Sequence, residues 1–184
     1  MTLRVHAFAA IPPSVLRPLV VRRLLSRTAD AFGAHLPSPR GRMSGDELLR
    51  AYATFSDARA ELLLVGCGDL DTARRELWRI TDHIGRSLRR WLGIKTLADA
   101  MIVAHAVYRA LDIDLQGSPV GDVVVARCSF AIVYGPEVCA VMSALDAGLF
   151  AGLTGGQSLT FSQRITEGAP ACLATLRPTG VTTT

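Results

Sequence analysis

Aromatic residues are scarce in this chain, 6% of 184 positions, and lysine scarcer still: Lys95 is the single lysine among 20 basic residues. Set against 16 acids these leave a net charge of +4. Nucleic-acid recognition calls for clustered Lys and Arg with aromatics between them. Here arginines are spread over several expected helices, so no nucleic-acid partner is expected. A run of about 18 apolar residues is missing, so no membrane-spanning helix is expected. The start, MTLRVHAFAAIPPSVL, lacks the charged region, long apolar core and small-residue cleavage site of a signal peptide. Four irregularly spaced cysteines are too few and too scattered for a secreted disulfide framework. The expected location is therefore the cytoplasm. Repeats and low-complexity linkers are absent too, and 49% hydrophobic with 20% charged residues is a globular composition. One domain, residues 1–184, is expected.

What is present divides at about residue 112. Before it, apolar residues recur every three or four positions. Pro12 and Pro13 open a helix over Val15 to Phe32, and Gly33 stops it. His35 to Gly45 is rich in Pro, Gly and Ser and reads as a loop. Ser44 with Glu47 three on is a capping box for a helix to about Val65. Asp69 caps the next helix, which Gly93 ends. Thr96 caps a helix over Leu97 to Leu111 that is apolar on nearly every side, as a buried central helix would be. After Gly117 the period shortens. Val120 to Arg127 is β-branched and strand-like. Pro136 precedes a helix from Glu137 to about Phe150, with Gly152, Gly155 and Gly156 as its stop. Ser158 to Thr166 and Ala171 to Arg177 form a hairpin around Glu167–Pro170, and a tail follows over 178–184. The sum is an α+β domain: a helical part, 1–112, packed on a small antiparallel sheet with a short helix, 118–177.

The residues able to do chemistry gather in the last third. Cys128 ends the first expected strand and precedes a turn, where a rigid element can aim a side chain at a loop-lined opening. It is either a nucleophile that needs a lowered pKa or a buried apolar thiol. Arg127 points to the opposite face, so it is no evident activator. Cys139 and Asp146 are seven apart and share a helix face. Asp146 in an otherwise apolar helix is either a cap, a surface carboxylate or a site acid or base. His105 and Tyr108 share a face of the most apolar helix, with His105 either a packed core residue or a proton carrier near Cys128. Cys128, Cys139, Cys172 and His105 as a ligand set would have intervals too long for a zinc motif, and no metal or other cofactor is expected. Arg86, Arg89, Arg90 and Lys95 at one helix end either complement its dipole or form a rim that steers anions.

An ordered set of these residues resembles the L-2-amino-thiazoline-4-carboxylic acid hydrolase family. The set is Cys128-Ser129-Phe130, Glu137-Val138-Cys139, Asp146, Gly152-Leu153, Phe161 with Arg164, and Gly168 to Cys172. It covers about the last 60 residues. Where members often carry Pro, an acidic residue and a further Cys, this chain has Ser129, apolar Ala131 to Val133, and Ser143. A weaker resemblance extends to 4-vinyl reductase domains, which are ligand-binding α+β modules.

The resemblance implies an enzyme that opens a cyclic C–N bond of a small heterocyclic or carboxylated metabolite. Cys128 would be nucleophile or ligand, with Asp146 or His105 handling protons. Arg164, Tyr108, Cys139 and Cys172 would contact the substrate, Arg164 fixing its charge. Two alternatives stay open: a biosynthetic enzyme that binds an apolar substrate and guides a cyclisation or rearrangement by shape, and a non-enzymatic ligand-binding module. Association into a homodimer through an apolar helix face is a further expectation.

Overall fold

The computed structural model describes residues 3–34, 43–66 and 68–179. His35 with most of the expected loop, Cys67 and the end of the tail lie outside the described residues. Among the described residues six α-helices and four strands follow in the order α1 (Leu3–Ala9), α2 (Pro13–Ala31), α3 (Gly45–Leu64), α4 (Leu70–Leu92), α5 (Leu97–Ala110), β1 (Ile113–Gly117), β2 (Asp122–Cys128), α6 (Pro136–Thr154), β3 (Gln157–Gln163) and β4 (Cys172–Pro178). The α+β expectation holds, with a four-stranded antiparallel sheet built from the C-terminal part.

Local chemistry sets the helix ends where the sequence placed them. Ser44 and Glu47 close a reciprocal capping box on α3. Asp69 accepts from the Thr72 N–H at the start of α4, and Thr96 accepts from the Asp99 N–H at the start of α5. Pro13 and Pro136 occupy the first turns of α2 and α6, where a missing N–H costs nothing. Gly93 and Gly155 take the left-handed conformation that ends α4 and α6.

Two elements depart from expectation. Leu3–Ala9 is a helix because Val5 and Phe8, three apart, bury one face. Ile113–Gly117 is a strand although its five residues include an acid and a glutamine. Ile113 and Leu115 alternate into the core, and the strand pairs with β2 at the sheet edge.

The sheet order is β1-β2-β4-β3. Its inner face carries Leu115, Val123, Val125, Leu159, Cys172 and Ala174, all buried, while Val124 and Leu173 look outward. α5 packs on the same interior. It is buried along most of its length, but His105 and Arg109 reach solvent.

α6 runs on to Thr154, past the expected end at Phe150. Gly152 is therefore not a stop but an interior residue, and its reason lies in α4. A methyl on Gly85 would sit 2.5 Å from the Leu149 carbonyl oxygen and 2.9 Å from the Gly152 Cα. One on Gly148 would meet the Trp78 carbonyl, and one on Gly152 the Asp82 carbonyl. Three glycines thus let two backbones touch, at a helix-propensity cost of about 1 kcal/mol each. By length and composition α6 is also apolar enough to cross a membrane, a test that the core helix of a globular fold passes as well. Half of it is buried inside the fold, against α4 and β3.

Gly148→Ala is expected to wedge the two helices apart and to cost about 1–3 kcal/mol, the range for overpacking a close contact. Urea unfolding checks this. An unchanged midpoint would show that the seam has slack.

Candidate functional site

Between the helices and the inner face of the sheet lies a cavity of about 490 Å³. Its walls are almost wholly apolar. Leu19, Arg23 and Trp91 line it and are exposed, which places the opening between α2 and the C-terminal end of α4. One wall is aromatic. The Phe130 ring stacks on Tyr134 with centroids 5.4 Å apart and meets Tyr52 edge-on at 5.7 Å. The Tyr134 hydroxyl shares a 2.5 Å hydrogen bond with Ser56, and the Tyr52 hydroxyl shares one of 3.3 Å with Thr28. Both phenols are thus turned to partners in the protein.

The polar groups collect at the other end. The α4–α6 seam and the packing of α5 on α6 bring Tyr108 to Asp146, and the Tyr108 hydroxyl donates to Asp146 Oδ1 at 2.5 Å. The Tyr108 ring also rests against Phe150, one turn beyond Asp146, with centroids 6.1 Å apart. Among the described residues Asp146 is the one carboxylate lining the cavity. Burial pushes its carboxyl up to about 6, and the Tyr108 hydrogen bond and the nearby Arg164 charge offset only part of that. The same desolvation, reinforced by the Asp146 charge, raises the Tyr108 phenol well above its usual range, so it remains a donor. Arg164, half-buried at the end of β3, ion-pairs with Glu167 at 3.2 Å and lies over the Phe161 ring, 5.2 Å from its centroid.

All three cysteines of the last third line this cavity. They are free thiols. Burial pushes the Cys128 thiol up to about 12, although the N–H groups of Phe130 and Ala131 favour its thiolate. The Asp146 charge adds to the rise. Cys139 and Cys172 are raised by burial as well, Cys172 while accepting from the Ile165 N–H at 3.3 Å. A pocket that is apolar and anionic is the opposite of what activates a thiol.

Cys128, Cys139, Cys172, Tyr108, Asp146 and Arg164 therefore converge on one cavity, and His105 does not. His105 is exposed on α5, about 60° around the helix from Tyr108, which takes the inward direction. It is neither the packed core histidine nor the proton carrier that the sequence allowed. Without it the Cys–His ligand set does not form, and among the described residues no three His, Cys, Asp or Glu side chains group to hold a metal. The cationic rim does not form at the cavity either. Arg86 pairs with Asp82 on its own helix, and Arg89 lies against Gly155. Arg127 points away from Cys128, as expected, and pairs with Asp112 at 3.1 Å. The sequence reading missed Tyr52, Tyr134 and Thr166 as cavity residues. A signal was available for Tyr134, four residues after Phe130 in a chain so poor in aromatics.

No protein-family model matches the chain, and no curated protein matches it in sequence.

Asp146 carries a stability consequence whose sign follows from its shift. A folded-state carboxyl near 6, against 3.8 ordinarily, favours the folded state only while protonated. Its cost grows as pH rises from about 4 through 6. Asp146→Asn keeps an acceptor for Tyr108 and removes the buried charge. The variant is expected to be more stable than the parent by about 1–3 kcal/mol at pH 8, with no gain at pH 4. Denaturant unfolding at the two pH values checks this. Equal stabilities at pH 8 would mean that the carboxylate is well solvated.

Proposed function

We propose that the protein binds a largely apolar small molecule in this cavity and guides its cyclisation or rearrangement by proton transfer through Asp146. One observation carries the reading: a single carboxyl, held near 6 and hydrogen-bonded by Tyr108, faces an otherwise apolar space. A carboxyl near 6 exchanges protons readily in either direction around neutral pH. Tyr108 holds Oδ1 and so aims the group, while among the described residues no protein donor occupies Oδ2. Apolar walls exclude water and hold a flexible substrate in one folded shape, which is the larger part of what a cyclisation needs. Phe130, Tyr134 and Phe161 add to the same apolar walls. Three unpaired cysteines on one wall suit a reducing compartment such as the cytoplasm.

The thiazoline-hydrolase reading draws support from the place of Cys128 on the cavity wall and from the ordered residues around it. It needs a thiolate. With the thiol near 12, Cys128 holds about a thousandfold less thiolate at pH 8 than a thiol at 9. No imidazole lies beside it among the described residues. The acid–base reading asks nothing of the cysteine.

Two measurements test the proposal. The fluorescent probe N-phenyl-1-naphthylamine should bind with micromolar affinity and be displaced when Met142→Trp fills the cavity. The compound extracted from purified protein, identified by mass spectrometry, should be transformed by the enzyme with a rate that follows one ionisation near pH 6. A rise through pH 6 makes Asp146 the base, and a fall makes it the acid. Asp146→Asn should lower the rate at least about a hundredfold. A flat profile in the parent, or an active Asp146→Asn variant, removes Asp146 from the mechanism.

Cys128 separates the two chemistries. Iodoacetamide should label it far more slowly than free cysteine at pH 8, and Cys128→Ala should keep turnover within about threefold of the parent. Complete loss of turnover in this variant, with probe binding intact, would return the mechanism to a nucleophilic thiol.

A further inference from the structure

Arg164 is under-used by the protein that surrounds it. A guanidinium offers five N–H donors. Among the described residues its one acceptor is Glu167, on Nη1. Its Nε is buried with no acceptor at all. Nη2, on the same edge, is not sealed in and likewise has no acceptor among the described residues, so on this cavity wall it can be met by whatever fills the cavity. An oxygen-bearing ligand is what this edge lacks.

Which oxygen follows from the charges around it. Glu167 already balances the arginine. Asp146 lies within electrostatic reach of Arg164 and carries a further negative charge when ionised. Arg23, the other cation on the cavity wall among the described residues, stands at the exposed opening. The closed end therefore sums to one negative charge, not a positive one. A ligand carboxylate would bring a second into apolar surroundings, where like charges repel far more strongly than in water. A neutral carbonyl meets the free donors without that penalty. We propose that the cavity takes a neutral carbonyl compound with a long apolar body, its oxygen accepting from the free edge of the Arg164 guanidinium, and that it rejects the matching carboxylate. This deepens the function proposed above and rests on the cavity being a binding site. It also reverses the expectation that Arg164 fixes a substrate's charge.

The test is competition at pH 8 between N-phenyl-1-naphthylamine and either 2-decanone or decanoate. 2-Decanone should displace the probe at about tenfold lower concentration than decanoate, as one charge-assisted hydrogen bond against one repulsion would give. Arg164→Met should weaken 2-decanone about tenfold relative to the probe. Equal or tighter binding of decanoate by the parent overturns the proposal, as does an Arg164→Met variant that binds 2-decanone unchanged. Glu167→Gln supplies an independent arm on a half-exposed residue, should Arg164→Met fail to fold. Removing the balancing charge should strengthen decanoate about fivefold and leave 2-decanone within twofold. An unchanged ratio in that variant defeats the charge argument. A protein that binds neither the probe nor either competitor defeats the cavity reading together with this one, whereas probe binding without carbonyl preference defeats only this one.

Discussion

The close approach of α4 and α6 is the constraint on which the rest of the structure depends. It is made by the absence of three side chains. Gly85, Gly148 and Gly152 bring carbonyl oxygens of one helix to the backbone of the other, so α6 has little freedom to slide or rotate. Asp146 sits two residues before Gly148 and Phe150 two after it. Fixing the seam therefore fixes the direction of the carboxyl and the ring on which Tyr108 leans. The glycines also keep bulk away from the seam, so the large side chains of both helices project elsewhere. Leu145 and Met142 of α6, and Ile84 and Leu88 of α4, line the cavity. A tight contact on one face and an open space on the other are two results of one packing choice.

Burial then sorts the ionisable groups by what they can still do. Desolvation disfavours whichever form is charged, so the same apolar wall acts oppositely on usefulness for a carboxyl and a thiol. Asp146 rises from 3.8 to about 6, into the range where proton exchange is easy at neutral pH. Cys128 rises to about 12, which leaves it a thiol at neutral pH. The two effects share a cause, and the first strengthens the second, because the charge on Asp146 also opposes a thiolate on Cys128. The desolvation that raises the carboxyl also holds the sulfur in its thiol form.

Much of this was legible in the sequence, in proportion to how local the controlling physics is. Caps are local: Ser44, Asp69 and Thr96 act over three residues, and each was placed from spacing alone. Asp146 stood out because a carboxylate in an apolar helix must find a reason. Strand β1 stayed hidden because an edge strand needs only Ile113 and Leu115 on one face, and two apolar residues among polar ones read as a loop. The role of Gly152 was hidden for another reason. A glycine near a helix end looks like a stop, and only the position of α4 turns it into a contact. His105 failed similarly. Its neighbours Ala104 and Ala106 are buried, yet sequence cannot say which narrow arc of a nearly all-apolar helix faces water.

The residues that depart from the thiazoline-hydrolase pattern are where the structure explains the departure. Ser129 follows Cys128, but its hydroxyl donates to the Leu111 carbonyl at 2.9 Å, tying the turn after β2 to the end of α5. Ser143 lines the cavity, yet its hydroxyl donates to the Cys139 carbonyl at 2.6 Å within α6. Ala131, in the apolar stretch after Phe130, lines the cavity and offers only a methyl. At each of these places the chain presents hydrocarbon or a hydroxyl already spent on its own backbone. A pocket so arranged gives a polar heterocycle few handles. It gives an apolar molecule a continuous surface, broken at one end by Asp146, Tyr108 and Arg164. The sequence order of the resemblance is kept while the polar lining it would need is not, and that contrast is what moves the proposed chemistry from attack by sulfur to proton transfer inside a shaped apolar space.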